Sequence, residues 1–196
     1  MPLSTHSFSL EKRYGNDFVN DVFKDNILLT LHYMAGTVKG KGDIVWENIE
    51  KPFHYEFTLK PGETFAYHDQ VLPEYNKSLA KTTNAHFNYS DGFKSDGYLM
   101  GDGVCHFASL IYWAAKDAGL DAVSPVDHNF AVIPEVPKEY GVSIYFMPGN
   151  PGNSSRQNLY ITNNLDKPVT FVFDYNGVEL KVDVVKSLLG EVASAL

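Results

Sequence analysis

The sequence predicts an α+β fold in which a mostly antiparallel sheet packs against one central helix. From Cys105 to Ala118 the apolar residues recur at a period near 3.6, and Gly119 is a typical helix stop signal. Shorter apolar or alternating segments elsewhere are typical of β-strands. Asn176-Gly177 lies between two of them and predicts a hairpin with positive φ at both turn positions.

Before the central helix, residues 18–23 predict a short helix, whereas residues 27–31 fit a strand or a helix end equally. Residues 44–47 predict a short strand with Trp46 in the core. Apolar and polar residues alternate over residues 53–59, as in a half-buried strand, and Pro61-Gly62 marks a turn before a further element. His54 and His68 occupy polar positions and are expected on the surface.

A long polar segment, residues 73–99, precedes the central helix and carries interleaved aromatic residues. A loop of this length is usually functional or mobile, so we expect it either to bind a ligand or to dock onto the core through its aromatic side chains. After the helix, strands are predicted at residues 130–133, 142–146, 159–162, 169–175 and 178–184. Residues 186–196 predict a terminal helix.

The length suits one domain, and no repeat or linker divides the chain. We expect an N-terminal extension over residues 1–52 that packs on the core, a main domain over 53–184, and a C-terminal helix over 185–196. The oligomeric state is not predicted.

The composition excludes several classes of function. A net charge of −8 argues against nucleic acid and anionic membrane surfaces as partners. A single cysteine excludes an internal disulfide and every zinc site with several cysteines. No apolar run is long enough to span a membrane, the first residues lack the features of a signal peptide, and no cofactor is predicted.

Cys105 and His128 are the residues that point to chemistry. Gly101 and Gly103 interrupt the chain just before Cys105, which places the thiol at a helix N-terminus where the helix dipole favours a thiolate. His128 opens the predicted strand at 130–133, so a base could lie beside the thiol. A single cysteine is otherwise more often a buried apolar residue.

Three segments resemble the VanW family. The first is similar to the family's Cys–helix–His core and consists of Gly101-Asp102-Gly103-Val104-Cys105-His106, then Ala118-Gly119-Leu120 and His128-Asn129. Pro61-Gly62-Glu63-Thr64-Phe65-Ala66 resembles the entry motif, and residues 158–169 resemble the segment with paired asparagines. The resemblance covers about residues 55–183, and the core is also distantly similar to transglutaminase-like and papain-like enzymes.

The resemblance implies an extracytoplasmic, cell-envelope protein that acts on or binds a cell-wall peptide or glycan. Three departures bear on catalysis. His106 replaces a glutamine after the cysteine, Asn129 replaces a serine after the histidine, and Gly141 replaces an acidic residue that could orient the histidine. Asn129, Asp127 and Asp102 are the alternatives for that orienting role.

Three hypotheses stay open on this basis. In the first, Cys105 is a nucleophile and His128 its base in amide hydrolysis or acyl transfer, with His106 and Asn129 in the catalytic group. In the second, the domain binds its ligand without catalysis, and the thiol pair is vestigial. In the third, which has the weakest support, Cys105, His106 and His128 hold a metal. The predicted binding residues are Gly101, Asp102, Gly103, Phe93, Tyr98 and Tyr112.

Overall fold

The computed structural model describes residues 1–98 and 101–187. Within these residues the strands are β1 (Ser4–Ser9), β2 (Phe53–Leu59), β3 (Thr64–Ala66), β4 (Leu79–Lys81), β5 (Asp121–Val123), β6 (Tyr160–Thr162), β7 (Val169–Tyr175) and β8 (Glu179–Lys186). The helices are α1 (Asp17–Ala35), α2 (Trp46–Ile49), α3 (Val104–Asp117) and α4 (Pro151–Arg156).

The strands form two sheets of mostly antiparallel strands, which confirms the predicted α+β class. The larger sheet has the order β1-β8-β7-β2 and is antiparallel throughout. The smaller sheet has the order β4-β3-β6-β5, and its β3–β4 pair is parallel. Strand β1 therefore pairs with β8, the last strand among the described residues, so the N-terminal segment belongs to the larger sheet.

Alternation along the strands fixes which face of the larger sheet is buried. In β7, Phe171 and Phe173 are fully buried, and Phe57 of β2 stacks on Phe171 with ring centroids 5.1 Å apart. On α3, Phe107, Leu110 and Ile111 are also fully buried. Helix α3 contacts β1, β8 and β5, so its apolar face joins the two sheets in one core, as its periodicity predicts.

Helix α1 is longer than the sequence predicted. Residues 27–31 continue the helix rather than forming a strand, and all five side chains are buried. A helix that is buried on most sides shows little amphipathic periodicity, which explains why the pattern could not distinguish a helix from a strand at these residues. The prediction of a strand at residues 44–47 is wrong, because Trp46 begins the short helix α2 there.

Two strands predicted beside the functional site are absent. Residues 130–133 form a loop, in which Phe130 and Val132 are 75% and 87% exposed. Residues 142–146 are extended but pair only through an isolated bridge between Asp127 and Val142. Most residues of both segments line a cavity, described below, whereas Ile133 and Val142 pack in the hydrophobic core.

The predicted hairpin joins β7 and β8, but its turn differs. Gly177 has φ +104°, whereas Asn176 keeps a negative φ and its side chain accepts hydrogen bonds from the N–H groups of Val178 and Glu179. The predicted terminal helix lies mostly outside the described residues, and its first two residues, 185 and 186, belong to β8.

The two histidines expected on the surface differ in solvent exposure. His54 is exposed and pairs with Asp174 across the β2–β7 ladder. The prediction for His68 is wrong, because its side chain is fully buried. His68 Nε2 lies 3.2 Å from the carbonyl of Gln157, and Asn158 packs against its other ring nitrogen, so the ring is enclosed by polar partners.

Candidate functional site

The turn before Cys105 requires glycine at two positions. Gly101 and Gly103 have φ of +79° and +97°, values that favour glycine. A Cβ atom on Gly103 would lie 2.5 Å from the carbonyl oxygen of Phe23 on α1. Gly103 therefore lets the start of α3 approach the backbone of α1 directly.

Asn26 of α1 holds the same turn in place. Its amide nitrogen donates to the carbonyls of Lys94 and Asp102 at 3.0 and 2.8 Å, and its side-chain oxygen accepts from the N–H of Lys94 at 2.9 Å. Because Asn26 is fully buried, its hydrogen bond to Asp102 anchors the turn that begins α3, and the other two tie Lys94 to α1.

The thiol of Cys105 is hydrogen-bonded to the backbone of Ile144. Its sulfur accepts from the N–H of Ile144 at 3.4 Å and faces the carbonyl oxygen of the same residue at 3.7 Å. Burial raises the pKa of the thiol to about 11, and the nearby Asp102 carboxylate also raises it. These two effects outweigh the helix N-terminus, which lowers the pKa of a thiol, so the thiol is protonated at neutral pH.

His128 is buried and held by backbone groups. Its backbone N–H donates to the carbonyl of Gly141 at 3.0 Å, and its ring Nδ1 lies 3.2 Å from the carbonyl of Ala131. Since a carbonyl only accepts, Nδ1 carries the proton and Nε2 keeps its lone pair. Burial lowers the pKa of His128 below its ordinary value, so the ring is neutral.

Gly141 lies directly against His128. A Cβ atom at this position would come within 2.9 Å of the His128 carbonyl oxygen and 3.2 Å of its Cβ. The acidic residue that the VanW motif has at this position would therefore not fit here without a backbone shift. The carbonyl of Ala131, rather than a carboxylate, orients the imidazole.

Cys105, His106 and His128 all line one cavity of about 450 Å³. This volume lies within the ordinary range for a small-molecule site, about 300–1,000 Å³. No hydrogen bond joins Cys105 to His128 among the described residues. The wall also contains Arg13, Tyr14, Phe23, Phe87, Asn88, Gly101, Asp102, Gly103, Val104, Phe130, Ala131, Val132, Ile144, Tyr145 and Phe146.

His106 is a buried imidazole with one unsatisfied nitrogen. It is 6% exposed, its Nδ1 is buried without a hydrogen-bond partner, and no described residue bonds its Nε2. Its ring packs edge-on against Phe23 at 4.9 Å and lies 6.3 Å from the His128 ring. Burial, with smaller effects of Arg13 and His128, lowers its pKa to about 3, so His106 is neutral.

Asp102 brings a carboxyl group to the cavity wall. Its Oδ2 accepts from the N–H of Asp96 at 3.0 Å. Burial raises the pKa of Asp102 to about 6; the hydrogen bond from the N–H of Asp96 opposes this shift, and the Asp96 side chain adds to it. At neutral pH Asp102 is mainly ionised and available as a hydrogen-bond acceptor.

Arg13 anchors the loop that follows His128. The guanidinium is fully buried, stacks over Phe8 at 3.9 Å, and donates to the carbonyls of Ser9 and Pro134 and to the carboxylate of Glu135. Glu135 has φ +63°, a backbone conformation that costs energy in a residue other than glycine. The N-terminal segment thus holds the chain just beyond Phe130 and Val132.

The remaining predicted site residues lie apart from this cavity. Phe93 is 2% exposed and packs on Tyr33 and Phe87, so it docks the long loop onto the core. Tyr98 is 92% exposed and does not line the cavity. Tyr112 lies on another face of α3 beside Tyr140, and Asn129 is exposed.

Several wall residues had no signal in the sequence. Arg13 lies in a polar N-terminal segment without periodicity, and Ile144 reaches Cys105 from a distant part of the chain. The apolar runs at residues 130–133 and 142–146 are the signals that the sequence offers for this wall, and both predict strands instead. Within residues 1–98 and 101–187, no group of three or more His, Cys, Asp or Glu side chains is placed to hold a metal ion.

Comparison with known families identifies the class of this domain. The family described as VanW like protein matches residues 54–185, about two thirds of the chain. The chain therefore belongs to the VanW family, as the motif resemblance implied. No curated protein and no solved structure matches it.

Membership of this family indicates a function related to the cell envelope and to vancomycin resistance. None of the described helices is both long and apolar enough to cross a membrane. Arg13, Phe23 and Asn26 lie outside the matched residues but build one side of the cavity and its supporting turn.

Proposed function

We propose that this domain binds cell-wall peptide or glycan on the outside of the cytoplasmic membrane, in the cavity beside Cys105, without using the thiol as a nucleophile. The observation that carries the proposal is the hydrogen bonding of the Cys105 sulfur to the backbone of Ile144 rather than to a histidine. The thiol then serves as a partly buried structural group at the cavity wall.

The electrostatics of the cavity support binding over nucleophilic catalysis. A thiol with a pKa raised to about 11 has very little thiolate at neutral pH. His106 and His128 are neutral as well, because burial lowers the pKa of both. A charged thiolate–imidazolium pair, which activates thiol enzymes, is therefore disfavoured here.

The shape of the site also supports a binding role. A cavity of about 450 Å³ with apolar walls and a few fixed polar groups is typical of ligand sites. At its mouth, Phe130 and Val132 are largely exposed, so two apolar side chains are available to a ligand that enters.

One observation favours a second candidate function, thiol-dependent amide hydrolysis. The hydrogen bond from Nδ1 to Ala131 leaves the Nε2 lone pair of His128 free in the cavity that contains Cys105. In this alternative, Nε2 would take the thiol proton as the sulfur attacks a ligand carbonyl, and would return it to the amine that leaves as the C–N bond breaks. Water would then hydrolyse the thioester, releasing the acid and the thiol. The alternative requires the hydrogen bonds between Cys105 and Ile144 to be exchanged on binding.

The test is a titration of the protein with soluble peptidoglycan fragments, followed by ¹⁵N–¹H NMR and by mass spectrometry of the fragments. We expect saturable shifts at Cys105, His106 and Phe130, with the fragments recovered intact. Cys105→Ala should bind with similar affinity. Fragments cleaved by the wild type and left intact by Cys105→Ala would instead establish the thiol enzyme, and a lack of binding would overturn both candidates.

A further inference from the structure

Three exposed aromatic rings lie around the mouth of the cavity. Tyr14, Phe130 and Tyr145 all line its wall, and they are 55%, 75% and 37% exposed. They come from three separate parts of the chain, namely the segment before α1, the loop after His128 and the extended segment that contacts Cys105. Exposed apolar side chains are normally scattered singly over a protein surface, so three rings at one ligand-sized cavity indicate a binding surface.

Two of these rings are held in place and still present an open face. The ring of Phe130 packs on that of His128 with centroids 4.0 Å apart, and the ring of Tyr14 packs on that of Phe23 at 5.7 Å. Each ring therefore has protein on one side, and its exposure leaves the opposite side to solvent. A ring that is fixed before binding loses little conformational entropy when a ligand stacks on it.

The same wall offers a hydrogen-bond donor and an acceptor with unused capacity. The side-chain oxygen of Asn88 accepts from the N–H of Asp91 at 2.9 Å, whereas its amide nitrogen has no partner among the described residues. Asp102 accepts from the N–H of Asp96, and a carboxylate accepts about four hydrogen bonds in all. A hydroxyl group, which both donates and accepts, suits this pair.

The charges of the wall favour an uncharged ligand. Arg13 is the one lysine or arginine of the wall among the described residues, and its guanidinium is engaged by Glu135 and two backbone carbonyls. His106 and His128 are neutral, because burial lowers the pKa of both. A ligand carboxylate or phosphate would therefore meet Asp102 without a free cation to balance its charge, and such a charge is costly to desolvate.

Open aromatic faces beside hydroxyl-binding groups match the chemistry of a sugar. A pyranose ring with equatorial hydroxyls has flat faces of C–H bonds and a rim of hydroxyl groups. The C–H bonds carry a small positive partial charge, which the negative face of an aromatic ring attracts. A chain of such sugars presents one face after another, as several rings from separate segments require. An apolar peptide side chain, in contrast, needs buried area but no aromatic face.

We propose that the mouth of this cavity binds an uncharged glycan chain, with sugar rings stacked on Phe130, Tyr14 and Tyr145 and hydroxyl groups bonded to Asn88 and Asp102. This inference rests on the proposed binding function and selects glycan over peptide as the ligand. The stacked sugars lie at the mouth, and the hydrogen-bonding groups fix their orientation.

The direct test is ligand-observed ¹H NMR on the full chain with two probes, an N-acetylglucosamine tetrasaccharide and the capped peptide N-acetyl-Ala-Ala-N-methylamide. The tetrasaccharide should bind saturably, and its ring C–H protons should move upfield, because an aromatic ring shields protons that lie above its face. Saturation of the aromatic protons of the protein should transfer to the same C–H protons. The capped peptide should show neither effect at equal concentration.

Substitutions at Phe130 separate ring stacking from general apolar contact. Phe130→Leu keeps an apolar side chain without a ring, and should weaken tetrasaccharide binding about 5-fold and reduce the upfield shifts. Phe130→Tyr keeps the ring and should bind about as tightly as the wild type. Phe18→Leu is the matched control, since Phe18 is 65% exposed on α1 and does not line the cavity. It should leave binding unchanged.

The outcomes separate this inference from the proposed function. If peptidoglycan fragments or the capped peptide bind and the tetrasaccharide does not, binding of an envelope ligand stands and the glycan inference is overturned. Tetrasaccharide binding that is equally tight in Phe130→Leu and Phe130→Tyr also overturns it, because the ring then contributes nothing. If peptidoglycan fragments and both probes fail to bind, both proposals fail.

Discussion

The sulfur of Cys105 lies 3.4 Å from the backbone nitrogen of Ile144, which donates a hydrogen bond to it. This contact links the first turn of α3 to an extended segment that crosses the cavity wall. His128 lines the same cavity but bonds to Ala131 and Gly141 instead. The Cys105 thiol and the Nδ1 of His128 are thus each hydrogen-bonded to backbone atoms rather than to one another.

Thiol reactivity provides the first prediction. Because the pKa of Cys105 is raised to about 11, roughly one hundredth of the thiol is ionised at pH 9. Iodoacetamide labelling should therefore rise about 10-fold per pH unit up to near pH 11, and His128→Ala should not change the profile. The unfolded protein is the control and should label with a pKa near 8.5. Rapid labelling below pH 7 that depends on His128 would contradict this account.

Acid sensitivity is the second prediction. The pKa of His106 is lowered to about 3 and that of His68 to about 4, both below the unfolded value near 6.5. The unfolded chain binds more protons between these values, so stability rises with pH in this window and is lost as pH falls below about 6.5. Each histidine should lower the free energy of unfolding by about 2 kcal/mol at pH 5.

The measurement is urea unfolding at pH 7 and pH 5 for the wild type, His106→Leu and His68→Gln. Each variant should lose less stability on acidification than the wild type, by about 2 kcal/mol. The raised pKa of Asp102 acts in the opposite direction, but it does so in all three proteins. An identical pH dependence in wild type and variants would show that these rings do not titrate as described.

The third prediction concerns the contact between the α3 turn and α1. Gly103→Ala combines an unfavourable positive φ with a Cβ contact of 2.5 Å to the Phe23 carbonyl, whereas Gly62→Ala has a similar φ of +79° and open space. Gly62→Ala should cost about 1 kcal/mol, and Gly103→Ala about 3 kcal/mol or more. Thermal unfolding measures both. Equal costs would mean that α1 does not press on the turn.

The Arg13 anchor gives the fourth prediction. Arg13→Met removes three hydrogen bonds from a fully buried guanidinium, and should destabilise the protein by about 2–3 kcal/mol. The cost is limited because the Glu135 side chain is 40% exposed and regains water. Lys12→Met, at the exposed neighbouring position, is the control and should change stability little. A neutral effect of Arg13→Met would rule out the anchor.

The sequence predicted the features that depend on local pattern. Helix α3, its stop at Gly119 and the β7–β8 hairpin follow from spacing and turn residues within a few positions. Phe130 and Val132 misled the prediction because an apolar run has the same pattern whether it lies in a sheet or at the mouth of a cavity. Their exposure depends on the tertiary fold and not on neighbouring residues.

The candidate site was predicted in part for the same reason. Cys105, His128, His106 and the Gly101–Gly103 turn share the cavity, since one motif and its following segment carry them. The pKa of the thiol was not predictable, because burial and the Ile144 contact depend on residues distant in the sequence. Arg13 and Asn26 act through single contacts across the fold, which leave no periodic signal.

The most direct test of the binding cavity is the affinity for soluble peptidoglycan fragments of two variants that differ in one exposed phenylalanine. Phe130 lies at the cavity mouth and is 75% exposed, whereas Phe18 lies on α1 away from it and is 65% exposed. Neither substitution by alanine should unfold the protein. Phe130→Ala should weaken binding about 5- to 10-fold through lost apolar contact, and Phe18→Ala should bind as the wild type does. Equal affinity in all three proteins would contradict the assignment of this cavity as the ligand site.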